Sequence, residues 1–185
     1  MTFLTNTPVN ILPNAMPINM EFLAYTGHGR EDWTLASHPL RRILSANPPR
    51  LHSLTIEGFY AWDKLPLNFP ASLHHLCLRL HSRISSRKDI PLSNIINSLR
   101  GLSSLRTLEI SFHEEPGNGY GSVPSAKGPM ATFPMLRNMR LHGLFDVCSA
   151  ILNLIKLNAE TSLELSCPQA VDGRMQWNAI STAAK

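Results

Sequence analysis

One pattern constrains this chain more than any other: L-x-x-L-x-L, with aliphatic residues in its three fixed places, recurs along most of its length. Leu51, Leu54 and Ile56 make one copy, Leu73, Leu76 and Leu78 a second, Leu105, Leu108 and Ile110 a third, and Leu136, Met139 and Leu141 a fourth. Two weaker copies flank these: Met20, Leu23 and Tyr25 before them, and Glu160, Leu163 and Leu165 after, with Glu in the first place. The copies start at 20, 51, 73, 105, 136 and 160, at intervals of 31, 22, 32, 31 and 24 residues. The shorter intervals fall within the roughly 20–29 residues usual for such a repeat, and the longer ones require inserted loops. The Gly-, Pro- and Ser-rich stretch 114–129 is one of these.

The motif dictates how its copies must pack. Leu54 and Ile56 alternate with Ser53, Thr55 and Glu57, so an extended segment here has one apolar and one polar face. A lone strand cannot bury its apolar face; strands stacked in parallel, each returning through an outer segment, share one continuous core. Helical returns are visible just upstream of the strand motifs. Residues 39–46 carry Leu40, Ile43 and Leu44, with Pro49 as a stop; 91–99 carry Leu92, Ile95, Ile96 and Leu99; 144–155 carry Leu144, Val147, Cys148, Ile151, Leu152 and Ile155. Residues 59–71 differ, because Leu65-Pro66, Phe69 and Pro70 exclude a regular helix and predict an extended turn. The expected fold is therefore α/β: a leucine-rich-repeat solenoid of about six irregular repeats over residues 18–168. It would have a parallel inner sheet and irregular helical or extended outer turns, an N-terminal extension at 1–17 and a C-terminal tail at 169–185.

Composition narrows the function classes. A chain of 185 residues accommodates one ordinary domain, and a hydrophobic fraction of 43% argues against wholesale disorder. Net charge is +4, but the basic residues are scattered, the nearest cluster being Arg79, Arg83, Arg87 and Lys88. No basic stripe interleaved with aromatics exists, so nucleic acid is not an expected partner. Three cysteines without a C-x-x-C spacing fit a reducing compartment, cytoplasmic or nuclear. The first ten residues lack the basic and apolar regions of a signal peptide, and no apolar run approaches the ~20 residues of a membrane span.

The run Pro39-Leu-Arg-Arg-Ile-Leu-Ser-Ala-Asn-Pro-Pro-Arg-Leu-His-Ser-Leu-Thr-Ile56 resembles the leucine-rich repeats of F-box-type proteins, particularly their large fungal families. Phe69-Pro-Ala-Ser-Leu73 and Leu102-Ser-Ser-Leu-Arg-Thr-Leu108 are similar in style. In such proteins an N-terminal F-box docks onto a ubiquitin-ligase core while the repeats hold the substrate. The first 17 residues, with Leu12-Pro13 as a fragment of the usual opening, are too short for an F-box. The resemblance, which covers about residues 18–168, implies a protein-interaction module: the substrate-recognition region of an F-box-like ubiquitin-ligase receptor lacking its own F-box. The implied partners are a protein substrate and ubiquitin-ligase core subunits.

The binding residues expected from the motif are the outward ones of the strands, forming rows on a concave face: Glu57, His75, Arg79, Thr107, Glu109, Asn138, Arg140 and His142, beside Ser53, Thr55, Cys77 and Ser111. Arg79 and Glu109 are placed to pair, whereas Arg140 and His142 are expected to be less compensated.

Other constellations point to bland chemistry. The place three residues beyond each motif, where Asn often bonds turn backbone, holds His28, Phe59, His81, His113 and Leu144. His75, Cys77 and His81 share strand parity, but the ladder places are spread along the solenoid and no H-x-x-x-H accompanies them, so no metal is expected. The stretch 117–128 lacks the GK[ST] ending of a phosphate loop and reads as a surface loop. No G-x-S-x-G elbow exists, Cys148 lies on an apolar helical stripe, and Glu31-Asp32 and Glu114-Glu115 fall in turns. No catalysis and no cofactor are expected. Two alternatives stand beside the binding module: a truncated repeat fragment without independent function, its ends lacking polar caps, and an α/β hydrolase-like enzyme, which would need a nucleophile on a strand-to-helix elbow.

Overall fold

The computed structural model describes residues 20–26, 39–59, 69–82, 92–114, 130–171 and 174–183. In chain order the elements are β1 (Phe22–Thr26), α1 (Pro39–Ser45), β2 (Ser53–Phe59), β3 (His75–Ser82), α2 (Leu92–Leu99), β4 (Thr107–Glu114), β5 (Ala131–Thr132), β6 (Asn138–His142), α3 (Phe145–Leu152), β7 (Ile155–Lys156), β8 (Ser162–Val171) and β9 (Arg174–Ala183). The protein is α/β. Strands β1, β2, β3, β4, β6 and β8 lie side by side in the order of the chain, all parallel, and β9 closes the sheet antiparallel to β8. Strands β5 and β7 form a separate two-stranded parallel sheet.

Across the motif positions the register follows the repeat without a slip. Leu23, Leu54, Leu76, Leu108, Met139 and Leu163 make one cross-strand row, and Tyr25, Ile56, Leu78, Ile110, Leu141 and Leu165 make the next. A shift of one residue in any strand would turn its aliphatic side chains out to water, which pins the pairing. All of these residues are buried except Leu163 and Leu165, which pack half-buried against the core near the end of the sheet.

Each strand from β2 onward in the parallel series is entered through the same tight turn. The N–H of Leu51 donates to Pro48 O, Leu73 to Pro70 O, Leu105 to Leu102 O, Leu136 to Phe133 O and Thr161 to Asn158 O. These bonds correct the sixth copy. The first place, read from the sequence as Glu160, is held by Thr161, which is only 1% exposed, while Glu160 is exposed and pairs with Arg137. A carboxylate cannot occupy this apolar place unpaired, whereas a hydroxyl can when carbonyls surround it.

The helices pack on the inner side of the sheet, because their apolar stripes belong to the same core as the inward strand residues. Leu40, Ile43 and Leu44 of α1, Leu92, Ile95, Ile96 and Leu99 of α2, and Val147, Cys148, Ala150 and Ile151 of α3 are all buried. Helix α1 ends where Asn47 takes a left-handed conformation (φ 47°) just before Pro48. Helix α3 is shorter than its stripe predicts. It stops at Leu152, the N–H of Leu154 donates to Ile151 O at 2.9 Å, and Ile155 stays buried as part of β7.

Of the residues expected to form a C-terminal tail, 169–171 end β8 and 174–183 form β9, its antiparallel partner. Val171 pairs with Arg174, and the two intervening residues are Asp172-Gly173, the dipeptide type that most strongly favours a two-residue hairpin connection. The extension 1–17, the turn expected within 60–68 and the insertion 115–129 lie outside the described residues.

Candidate functional site

The in-register strands carry three outward rows. The first is Phe22, Ser53, His75, Thr107, Asn138 and Ser162; the second is Ala24, Thr55, Cys77, Glu109, Arg140 and Glu164; the third is Thr26, Glu57, Arg79, Ser111, His142 and Ser166. All eight residues expected to bind a partner therefore fall on one face. Strand spacing places neighbours in a row about 4.8 Å apart.

Charge on this face alternates: Glu57, Arg79, Glu109, Arg140 and Glu164 stand on five successive strands of the parallel series. Arg79 lies 3.7 Å from both Glu57 (Nη1 to Oε2) and Glu109 (Nε to Oε1). Arg140 lies 4.0 Å from Glu109 (Nη1 to Oε2) and 3.0 Å from Glu164 (Nε to Oε2). The expected Arg79–Glu109 pair thus exists. The expectation of a poorly compensated Arg140 is corrected, because Arg140 stands between two carboxylates. With both arginines and the Glu57 and Glu164 carboxylates partly open to water and Glu109 less so, the ladder contributes modest stability, and its main effect is to compensate both arginines on the face.

Cys77 lies within the ladder. Its thiol donates to Glu109 Oε1 at 3.3 Å, and burial together with the Glu109 charge pushes it up to about 11. A thiol so protonated is a poor nucleophile at neutral pH. Cys148 is likewise pushed up to about 12 by burial and by neighbouring Cys167, and its thiol points at Gly143 O, 3.8 Å away. It is a core thiol, as its place on the helical stripe predicts. Ser111, although outward by parity, is only 4% exposed.

The ladder place beyond the motifs is irregular. His81 and His113 are neighbours in the register, but Phe59 aligns with Leu80, because Gly58 (φ 84°) sits in a register shift that adds one residue to β2. Leu144 lies beyond the end of β6, and His28 is outside the described residues. Among the described residues no group of three or more His, Cys, Asp or Glu side chains is arranged to hold a metal ion, and no helix is long and apolar enough to cross a membrane.

A further row is missed by reading motifs one at a time. The residues immediately before the outward strand positions, His52, His74, Arg106 and Arg137, also line up. His52 O accepts from the N–H groups of His74 (2.8 Å) and His75 (2.9 Å), His74 O from Arg106 (2.8 Å) and Thr107 (2.9 Å), and Arg106 O from Arg137 (2.8 Å) and Asn138 (3.0 Å). The rings of His52 and His74 stack with centroids 4.9 Å apart and planes inclined by 6°. Stacking the copies of the motif would have revealed this column, since each member follows a first-place leucine directly.

No protein-family model, curated protein or solved structure matches the chain.

Proposed function

We propose that this chain is a leucine-rich-repeat-type solenoid whose outward, concave sheet face recognises a protein partner. One observation carries the reading: polar side chains from six parallel strands stand in register on a single face, held by a core on the opposite side. Such a face is ordered before binding, so little conformational entropy is lost on association. Because Arg79 and Arg140 are each held between carboxylates, recognition at its centre rests on shape and on hydrogen bonds from residues such as His75, Thr107, Asn138 and His142. The resemblance of residues 39–56 to F-box-type repeats supports the narrower role of a ubiquitin-ligase substrate receptor. In that role the ligase core would engage another part of the assembly.

The test compares the tagged full chain with a variant carrying Thr55→Trp and His142→Trp, which fills the face without altering the charge of the ladder. Both are used to capture proteins from cell extract, with circular dichroism and the urea midpoint as controls for folding. Capture of a discrete protein by the parent and not by the folded variant is the expected result, and ligase-core subunits in the same fraction would support the receptor role. Identical captured sets, or chaperones alone, would sink the proposal.

A further inference from the structure

We propose that the rim at the N-terminal ends of the central strands, formed by His52, His74, Arg106 and Arg137, binds a short, extended, acidic segment of the protein partner. The inference rests on the reading of the outward face as a protein-recognition surface, and assigns the cationic chemistry that the face itself lacks, its arginines being held between carboxylates.

The geometry comes first. These four residues occupy equivalent places on four adjacent strand entries, so the row spans about 14 Å at the ordinary strand spacing. His52, Arg106 and Arg137 are exposed and His74 is half-buried. The flanking N–H and carbonyl groups are already bonded between neighbouring strands. A partner at this rim therefore meets side chains, not free backbone, and must be chosen by its own side-chain chemistry.

The charge is the second point. Nothing in the fold requires basic side chains here, since the strand entries are held by backbone bonds and by the buried leucines behind them. Aligning them carries a repulsive cost: besides burial, the nearby Arg106, His52 and His75 all hold the His74 imidazole below its usual range. Arg137 has Glu160 as a partner, but among the described residues no carboxylate pairs with Arg106. An anionic ligand relieves this repulsion, and the guanidinium fork of arginine donates two parallel hydrogen bonds to a carboxylate.

The length is the third. Glu21 precedes the row on the β1 side, its carbonyl accepting from His52, and Glu160 stands at the other end beside Arg137. Acidic residues at both ends limit the favourable stretch to about 14 Å, the reach of four or five extended residues. A long polyanion such as a nucleic acid would run into one carboxylate or the other. A segment carrying Glu or Asp at alternate positions fits the length and the sign.

The probe is a fluorescein-labelled peptide of alternating Glu and Ser, titrated with the full chain and followed by anisotropy at low and at physiological salt. A Gln/Ser peptide and a single-stranded oligonucleotide of matched length are the comparators. The Glu/Ser peptide should bind and the Gln/Ser peptide should not. Arg106→Glu should weaken binding by about tenfold or more, and Arg106→Gln by less, while both keep the parent's circular dichroism and urea midpoint. Equal affinity for the parent and a folded Arg106→Glu variant, no binding of the Glu/Ser peptide, or tighter binding of the oligonucleotide would each overturn the proposal. The Thr55→Trp and His142→Trp variant separates the two readings. A cellular partner lost by that variant but kept by Arg106→Glu would overturn the rim and leave the face standing. Acidic-peptide binding that depends on Arg106, with no partner captured through the face, would support the rim's chemistry and overturn the wider reading.

Discussion

The hydroxyl of Thr161 lies 2.7 Å from the side-chain carbonyl oxygen of Asn158, three residues before it. Together they close the turn into β8. Thr161 Oγ1 is also 2.9 Å from Leu136 O, Asn158 Nδ2 donates to Leu136 O (3.1 Å) and Pro134 O (3.3 Å), and Glu160 N–H donates to Asn158 Oδ1 (3.1 Å). A polar pair thereby replaces the leucine found at this place in the four clear copies and ties the last parallel strand to its predecessor. Asn158→Ala should lower stability by about 1–3 kcal/mol and Thr161→Val by about 1 kcal/mol. Because the two side chains share bonds, the double variant should lose less than the sum, as urea unfolding of all four proteins would reveal.

Glu109 stands between two arginines and accepts a hydrogen bond from the Cys77 thiol. Glu109→Gln removes one of the causes that raise Cys77, leaving burial as the main one. The alkylation rate of Cys77 in the variant should therefore rise at lower pH than in the parent, while remaining displaced above that of an exposed thiol. Global stability should change by about 1 kcal/mol, since the ladder is partly open to solvent. A pH–rate profile resolved by peptide mass spectrometry would check the first expectation; an unshifted profile would contradict it.

Stability should fall at both ends of the pH scale, for opposite reasons. Cys77 and Cys148 have folded values of about 11 and about 12, against 9.0 unfolded. Above about pH 9 the unfolded chain releases thiol protons that the folded chain retains, so stability is lost as pH rises through that window. His74 is held below 6.5. Below that pH the unfolded imidazole takes up a proton more readily than the folded one, so stability is lost as pH falls. Urea midpoints across the range should show a shallower alkaline decline in Cys77→Ser and a shallower acidic decline in His74→Gln, each compared with its own neutral-pH value.

Gly143 should tolerate no side chain, whereas Gly101 should. Gly143 has φ +148°, and a Cβ there would lie 3.1 Å from Phe112 Cβ; its N–H also donates to Ser166 O at 3.0 Å. Gly143→Ala is expected to cost about 1–3 kcal/mol through backbone strain and the displacement of Phe112. A Cβ at Gly101 meets nothing within 4 Å, so Gly101→Ala should fall within about 0.5 kcal/mol of the parent. Thermal or urea unfolding of the two variants side by side would separate a conformational requirement from a mere preference for small residues.

The repeating aliphatic places were enough by themselves to determine the parallel strands and their register. Period-two alternation leaves Leu54, Leu76, Leu108 and Met139 one way to reach a common core, and the stripes of α1 and α2 have no other surface to cover. These features are local and are driven by the dominant energy, apolar burial, so they are written in consecutive residues. The C-terminal hairpin was also legible, in Asp172-Gly173 between two extended runs, but lay beyond the last copy of the motif. What tertiary structure alone decided is which side chains meet across strands. Glu57, Arg79, Glu109, Arg140 and Glu164, or His52, His74, Arg106 and Arg137, are separated by 22 to 32 residues and become neighbours only once every intervening turn has its length. The same holds for Thr161 in place of Glu160 and for Ile155 in β7 instead of α3. In both cases the pattern marked burial to within a residue, and the partners waiting in three dimensions settled which atom filled the place and in what conformation.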